Sequence, residues 1–435
     1  MQQFNMEQKE KYKETELGLL PESWKVVKVS SICKTQAGGT PSTFKEEYWN
    51  GDIPWINSGA LKNVIIKTPS KFITKLGLDN SNTKLWPKNT VVIALTGATT
   101  GKVGLLNFNC SANQSVVGIL PNEKFDSFCL FYNLVYSRER ILGFCSGAAQ
   151  PHINKGIVDD FITLIPPITE QKKISYILST IQEAKEKTEN VINSLKELKK
   201  SIMKHLFIYG PVSLEKAEKV KLKETEIGMV SEGWNIIPLK EITYFKNGIN
   251  FKAEQKGDKG ILTIDVLNMY GPEISVHLHK LYRVNKEIKK DYLLQDNDIL
   301  FVRSSLKREG VGWTTLFKKI NEPVTYCGFL IRARLNNEDF DAEYLTNYLR
   351  TNIARSNLVS SSGKVAITNI NQGMLGNIKV PKPNKNIQLQ ISSILSIMDL
   401  KIRAEENKKR TLEELFKSML HNLMTAKIRV NNLEI

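Results

Sequence analysis

The stretch nearest to a nucleotide site is Thr96-Gly97-Ala98-Thr99-Thr100-Gly101-Lys102-Val103. A phosphate loop needs its two glycines five residues apart and a hydroxyl for Mg²⁺ after the lysine. Here the glycines are four apart and Val103 takes the hydroxyl's place, so nucleotide binding is not expected. The five cysteines, Cys33, Cys110, Cys129, Cys145 and Cys327, are odd in number and form no Cys-x-x-Cys pair. Buried thiols are expected, not a disulfide framework or a zinc module. His277 and His279 would share one face of a strand, with no acidic or Cys ligand nearby in sequence. No Gly-x-Ser-x-Gly elbow, His-Glu-x-x-His helix or Gly-x-Gly-x-x-Gly turn occurs. Ile165-Pro166-Pro167-Ile168 lacks the Asn or Asp and the aromatic ring with which amino-methyltransferases hold a flipped base. An autonomous enzyme is not expected.

What remains is charge and polar loops. Among 435 residues, 61 Lys and Arg face 45 Asp and Glu, a net charge of +16. Residues 1–23 carry −2, 24–165 carry +6, 166–230 carry +3, 231–383 carry +6 and 384–435 carry +3. An excess spread over the whole chain favours a long polyanion, and nucleic acid is the natural candidate. The 41% hydrophobic content is that of a globular protein, in a length suited to two to four domains. No apolar run approaches 18 residues and the first 13 residues are polar, so a cytoplasmic chain without a membrane span is expected.

The elements that must position these loops are written twice. Lys11–Ile32 and Lys221–Ile242 share nine identities in 22 positions, among them Thr15/Thr225, Gly18/Gly228 and Trp24/Trp234. Ile174–Phe207 and Ile391–Met424 share 13 of 34. The offsets, 210 and 217, are close to half the length, which marks an internal duplication. Each second segment has an apolar 4-3 spacing. The first seam runs through Ile174, Leu178, Ile181, Ile192, Leu195, Ile202 and Leu206. The second runs through Ile391, Leu395, Met398, Ile402, Leu412, Phe416, Met419 and Leu423. Both turn polar midway, at Lys185 and Thr188 and at Glu405 and Lys409, so an antiparallel coiled-coil pair of helices about 50 Å long is predicted. Pro166-Pro167 and Pro381-x-Pro383 stop the preceding domains, and Tyr209-Gly210-Pro211 ends the first helix.

The blocks between are strand-rich, with β-type runs at Val91–Leu95, Val116–Leu120, Ile299–Arg303 and Phe329–Leu335. Phe125–Leu142 and Phe340–Leu358 read as helices. The fold class is α/β (mixed α+β): two globular domains separated by two long antiparallel coiled-coil helices, an internal duplication with pseudo-twofold symmetry. The expected boundaries are an N-terminal segment 1–23, domain 1 at 24–165, helical spacer and link 166–230, domain 2 at 231–383 and a C-terminal helical spacer 384–435.

Together these features resemble the specificity subunit of type I restriction–modification systems. The residues that carry the resemblance begin with Glu16-Leu17-Gly18-Leu19-Leu20-Pro21-Glu22-Ser23-Trp24, Gly38-Gly39-Thr40-Pro41-Ser42 and Tyr48-Trp49-Asn50-Gly51-Asp52-Ile53-Pro54-Trp55-Ile56. The Thr96–Gly104 loop, Asn113-Gln114 and Pro166-Pro167-Ile168-Thr169-Glu170-Gln171 continue it, and Gly328-Phe329-Leu330-Ile331-Arg332 looks like the corresponding strand of the second half. Two departures stand out: Ile387-Gln388 replaces Glu-Gln, and Lys246-Asn247-Gly248-Ile249 replaces Gly-Gly-Thr-Pro. The resemblance implies two target-recognition domains, each reading one half of a bipartite, asymmetric site in double-stranded DNA. It also implies that this chain binds no cofactor and docks two methylation subunits and two motor/nuclease subunits, which would hold S-adenosylmethionine, ATP and Mg²⁺. A 50 Å spacer would hold the readers a little over one duplex turn apart. An unexpressed or recombination-donor copy is an alternative, as is a coiled-coil scaffold that binds duplexes without reading them.

Base readout needs side chains at base edges, while Lys, Ser and Thr hold phosphates. In domain 1 the candidates are Thr40, Ser42, Ser58, Thr99, Lys102, Asn113, Gln114, Gln150 and His152. In domain 2 they are Lys246, Asn250, Arg303, Ser304, Ser305, Lys307, Arg308, Lys364, Thr368 and Asn369. Residues 24–165 contain only two arginines, Arg138 and Arg140, so an adenine read by Asn113, Gln114 or Gln150 is the better expectation there than Arg–guanine pairing. Gly38-Gly39 and Gly97/Gly101 could equally be simple tight turns, and Trp49 and Trp55 suit the core better than base stacking.

Overall fold

The computed structural model describes residues 11–145, 151–305, 310–360, 368–431 and 433, with side chains from 357 to 360 and of Thr368 outside that description. The chain divides into two units, Met1–Glu189 with Asn407–Ile435, and Asn190–Glu406. Each contains one strand-rich domain and a stretch of both long helices, Ile168–Tyr209 and Lys385–Met424.

In the first unit a five-stranded sheet runs in the order Thr35–Ala37, Val116–Ile119, Val91–Ala94, Val103–Leu106, Val64–Ile66. Neighbours are antiparallel except the last pair, which is parallel. The central strands are apolar at every position because both faces are covered. Val91 and Ile93 face a core with Phe131, Ile174, Leu178 and Leu423, while Val92 and Ala94 face Ile56, Trp86 and Leu106. The second unit repeats the frame as Thr243–Asn247, Leu330–Leu335, Ile299–Val302 and Thr314–Leu316, all antiparallel. Ile299 and Phe301 face one core, Leu300 and Val302 the other.

The domain helices are each broken once: into Ser127–Tyr136 and Arg138–Leu142, and into Ala342–Leu349 and Asn352–Ser360. Asp126 and Asp341 cap the first piece of each, accepting from the amides of Cys129 and Tyr344 at 2.8 Å. Those aspartates also anchor the long helices. Gln171 accepts from Asp126 N at 2.7 Å and donates to Pro166 O at 2.7 Å, buried. Gln388 accepts from Asp341 N at 2.8 Å and donates to Pro383 O at 2.9 Å. Ser175 and Ser392 donate to the same two carboxylates. The joint between domain and helix is thus built identically in both units.

One partner of the joint differs. Glu170, 1% exposed, accepts from Trp24 Nε1 at 2.9 Å and from Arg429 Nε and Nη2 at 2.8 and 3.0 Å. Its counterpart Ile387 packs against the apolar core that contains Trp234. A charge solution in one copy is an apolar solution in the other.

None of the seam residues is exposed. Ile174, Leu178, Ile391, Leu395 and Leu423 are fully buried, and Ile181, Ile202, Met398, Leu412, Phe416 and Met419 partly so. In the first unit the Lys185 ammonium lies 5.0 Å from the Phe416 ring centre, and burial there pushes its pKa down. Glu189 pairs with Lys409 in the same unit. In the second unit Lys199 meets Asp399 at 2.5 Å and Lys196 meets Glu406 at 2.7 Å. Within each unit the pairings run antiparallel. The first helix ends at Tyr209, and Gly210 follows at φ 85°, the left-handed residue that commonly stops a helix.

The joint gives a direct expectation. Gln171→Leu strands a buried amide and a buried carbonyl, and the chain loses about 1–3 kcal/mol of stability, seen as a lower urea midpoint by tryptophan fluorescence. An unchanged midpoint would show that the glutamine is dispensable.

Candidate nucleic-acid interface

In the first unit one end of the sheet gathers the candidates. Thr40 and Ser42 follow the Thr35–Ala37 strand, and Asn113 and Gln114 precede Val116–Ile119. Thr99 and Lys102 lie on the connection between Val91–Ala94 and Val103–Leu106, and His152 bridges to Thr96 on that connection. Ser58 follows the Trp49–Ile56 strand, whose Ile56 carbonyl accepts from Asn113 N at 3.0 Å.

Gly38 and Gly39 hold this end together. A Cβ on Gly38 would stand 2.2 Å from Asn113 O, and one on Gly39 would stand 2.5 Å from Thr83 N. Gly38 donates to Val116 O at 2.9 Å and Gly39 to Ala112 O at 2.8 Å, while Trp55 Nε1 donates to Gly39 O at 3.2 Å. The pair is therefore more than a tight turn: it lets three loops touch backbone to backbone. Trp55 is buried, and the half-buried Trp49 stands edge-on to it at 5.3 Å with Lys71 Nζ 5.2 Å from its ring centre. The loops enclose an open cleft of about 510 Å³ lined by Gly38, Gly39, Thr40, Ser42, Asn80, Ser81, Asn82 and Gln114. Its lining is hydroxyl and amide throughout, with no charged side chain. Thr40 donates to Gln114 Oε1 across it.

The second unit repeats the construction with other residues. Gly248 donates to Leu330 O at 3.0 Å, as Gly38 does to Val116 O, and a Cβ on it would stand 2.1 Å from Cys327 O. Arg303 follows Ile299–Val302, and Ser304–Ser305 pairs with Thr368–Asn369. Ile370 donates to Arg303 O at 3.0 Å just as Ile153 donates to Leu95 O at 2.9 Å. Asn154 and Asn371 then cap the helices that follow. Ser304 donates to Asn369, and Arg303 Nη1 to Gly328 O at 3.3 Å. Lys246 pairs with Asp291 and sits 4.2 Å from the Tyr292 ring centre, so its ammonium is engaged within the unit. That hydrogen bond holds the Asp291 carboxyl below the usual carboxylate range. Gln150, Lys307, Arg308 and Lys364 lie outside the described residues, as does the Thr368 side chain.

Burial pushes the thiols of Cys33, Cys110 and Cys327 up to about 12, so none of these is a thiolate nucleophile at neutral pH. Among the described residues no cluster of His, Cys, Asp and Glu could hold a metal ion, and no helix is long and apolar enough to cross a membrane.

Comparison with known proteins finds the same repetition. The model of the type I restriction modification DNA specificity domain matches residues 21–197 and again 231–414. The chain belongs to that family. It is 25% identical over 434 residues to the Type I restriction enzyme MjaVIII specificity subunit of Methanocaldococcus jannaschii, covering 98% of this chain and 97% of the relative. It is also 25% identical over 437 residues to the EcoKI specificity subunit of Escherichia coli, covering 96% and 88%. The crystal structure of a type I restriction–modification S subunit from M. genitalium shares the fold, with a TM-score of 0.59 at 18% identity over 92% of this chain and 96% of that one. This specificity subunit is thus a non-catalytic recognition component, with a specificity domain in each half.

Asn80, Ser81 and Asn82 of the cleft were not legible in the sequence, because an Asn-Ser-Asn run reads only as a turn. Phe329 belongs to a run that reads as a strand, yet it precedes the strand Leu330–Leu335 and is 60% exposed. In both units the glycine clamp is testable. Gly38→Ala and Gly248→Ala drive a methyl into backbone and cost about 1–3 kcal/mol by thermal denaturation. Gly233→Ala, where nothing lies within 4 Å, stays within about 0.5 kcal/mol. Equal effects at all three would contradict the close approach.

Proposed function

We propose that each unit reads one half of a bipartite, asymmetric sequence in double-stranded DNA through the loops at its sheet end. The observation that carries this reading is the repetition of one strand order, one glycine clamp and one set of loop positions with different side chains in each copy. A shared frame with divergent tips suits two readers of different sequences, and pure phosphate binding would require no such divergence. In the first half-site an adenine is read by amides from Asn113, Gln114 or Gln150. In the second, Arg303, Ser304 and Asn369 face the duplex, and Lys307, Arg308 and Lys364 add positive charge.

The long helices set the length of the unread gap and dock the methylation subunits, one near each end. Duplication lets a single chain engage two copies of one partner by pseudo-twofold symmetry. On this reading S-adenosylmethionine, ATP and Mg²⁺ belong to two methylation and two motor/nuclease subunits, in the cytoplasm, and this chain contributes sequence choice alone.

Genome-wide mapping of modified adenine in the host, with the gene intact and deleted, tests this. Deletion removes one bipartite motif from the methylation pattern and names both half-sites. A pattern unchanged by deletion, in cells shown to express the chain and its methylation partner, contradicts the proposal.

A further inference from the structure

The turn before the central strand is the same in both units. Val116 N donates to Asn113 O at 3.1 Å, and Leu330 N donates to Cys327 O at 3.0 Å. The clamping glycines, Gly38 and Gly248, donate to the first residue of the strand that each turn opens. The exposed tips differ: Gln114 with Ser115 in the first unit, Gly328 with Phe329 in the second. Phe329 is 60% exposed although its backbone is fixed. Its carbonyl accepts from Arg303 N at 2.8 Å, the neighbouring Gly328 carbonyl accepts from Arg303 Nη1, and Asn250 lies so close over Gly328 that a Cβ there would stand 2.2 Å from Asn250 Oδ1.

An aromatic ring on a tip whose backbone is pinned by Arg303 and covered by Asn250 keeps apolar area in water that a collapsed turn would hide. The Phe329 backbone is held by the polar loops assigned to DNA, and its position is that of Ser115, next to Gln114, in the other reader: Ser115 O accepts from Leu95 N at 2.8 Å as Phe329 O does from Arg303 N. The major-groove edges of the bases carry one apolar group, the C5 methyl of thymine. We infer that Phe329 is a specificity-determining residue of the second half-site, reading a thymine by packing its ring on that methyl group. This rests on the reading of the two units as DNA readers. It adds a division of labour: the equivalent turn reads through an amide in one unit and through an apolar ring in the other.

The test uses the full chain assembled with its methylation subunits and a duplex carrying the methylated motif. Each thymine of both half-sites is replaced in turn by deoxyuridine, which lacks only the methyl. The wild-type complex binds roughly three- to tenfold more weakly at one position of one half-site. Phe329→Ala loses the same factor on the thymine duplex and no longer distinguishes thymine from deoxyuridine there, with every other position unchanged. Phe329→Leu, which keeps an apolar tip, retains part of the discrimination. Indifference of the wild type to every deoxyuridine, unaltered discrimination by Phe329→Ala, or a half-site without any A·T pair overturns the inference while leaving the two-reader proposal intact. Wild-type affinity that survives scrambling of both half-sites overturns the two-reader proposal itself.

Discussion

A buried glutamine at the first turn of each long helix ties that helix to its own domain. Gln171 and Gln388 each accept the amide of a capping aspartate and donate to a proline carbonyl that ends the preceding strand segment. The glutamines and serines of this joint are buried, the two aspartates half-buried, and each is hydrogen-bonded within it, which makes each member costly to lose and fixes the angle at which the helix leaves the domain. The seam, the sheet and the sheet-end loops inherit their positions from it. The joint survives in both copies although the residue beside it changed from Glu170, held by Arg429, to Ile387 in an apolar core. Duplicated machinery tolerated a new solution for packing but kept the hydrogen bonds that aim the domain.

The loops obey a second constraint. Gly38 and Gly248 allow backbone to touch backbone where any side chain would intrude. With the frame thus fixed, residues at the tips are free to change without disturbing the core. That freedom suits a recognition domain: the apolar strands hold still from both sides, and on the proposed reading sequence choice falls to a few side chains at one edge. In the first unit these side chains are amides and hydroxyls around an uncharged cleft. In the second they include Arg303 and an exposed phenylalanine ring.

Much of this was legible in the residues. The duplication, the two seams and the alternation of domain and helix follow from offsets and apolar spacing, because burial imposes strict periods on sequence. The central strands could be found since four consecutive apolar residues between turns have few other uses. The domain helices were harder: the breaks at Ser137 and near Arg350 interrupt segments whose composition is helical throughout, and tertiary packing decides them. Gly38-Gly39 could be read as a turn but not as a contact, since its neighbours at Thr83 and Asn113 are distant in sequence. Asn80 and Asn82 carried no signal, and Phe329 only that of a strand, because a surface position is defined by what surrounds it, not by its own type. Lys246 shows the converse: a cation expected at the loop lies on the strand Thr243–Asn247 and is engaged by Asp291 and Tyr292 of its own unit.

The central claim is that recognition is carried separately by the two sheet ends. Its most direct measurement is the methylated motif in cells whose chain has residues 24–165 exchanged for the aligned segment of a relative with a different target, the joint residues Gln171 and Ser175 kept. The account predicts that one half of the motif changes to the donor's and the other half and the gap length stay as they were. A motif changed in both halves, or in neither while the complex still methylates DNA, would contradict it.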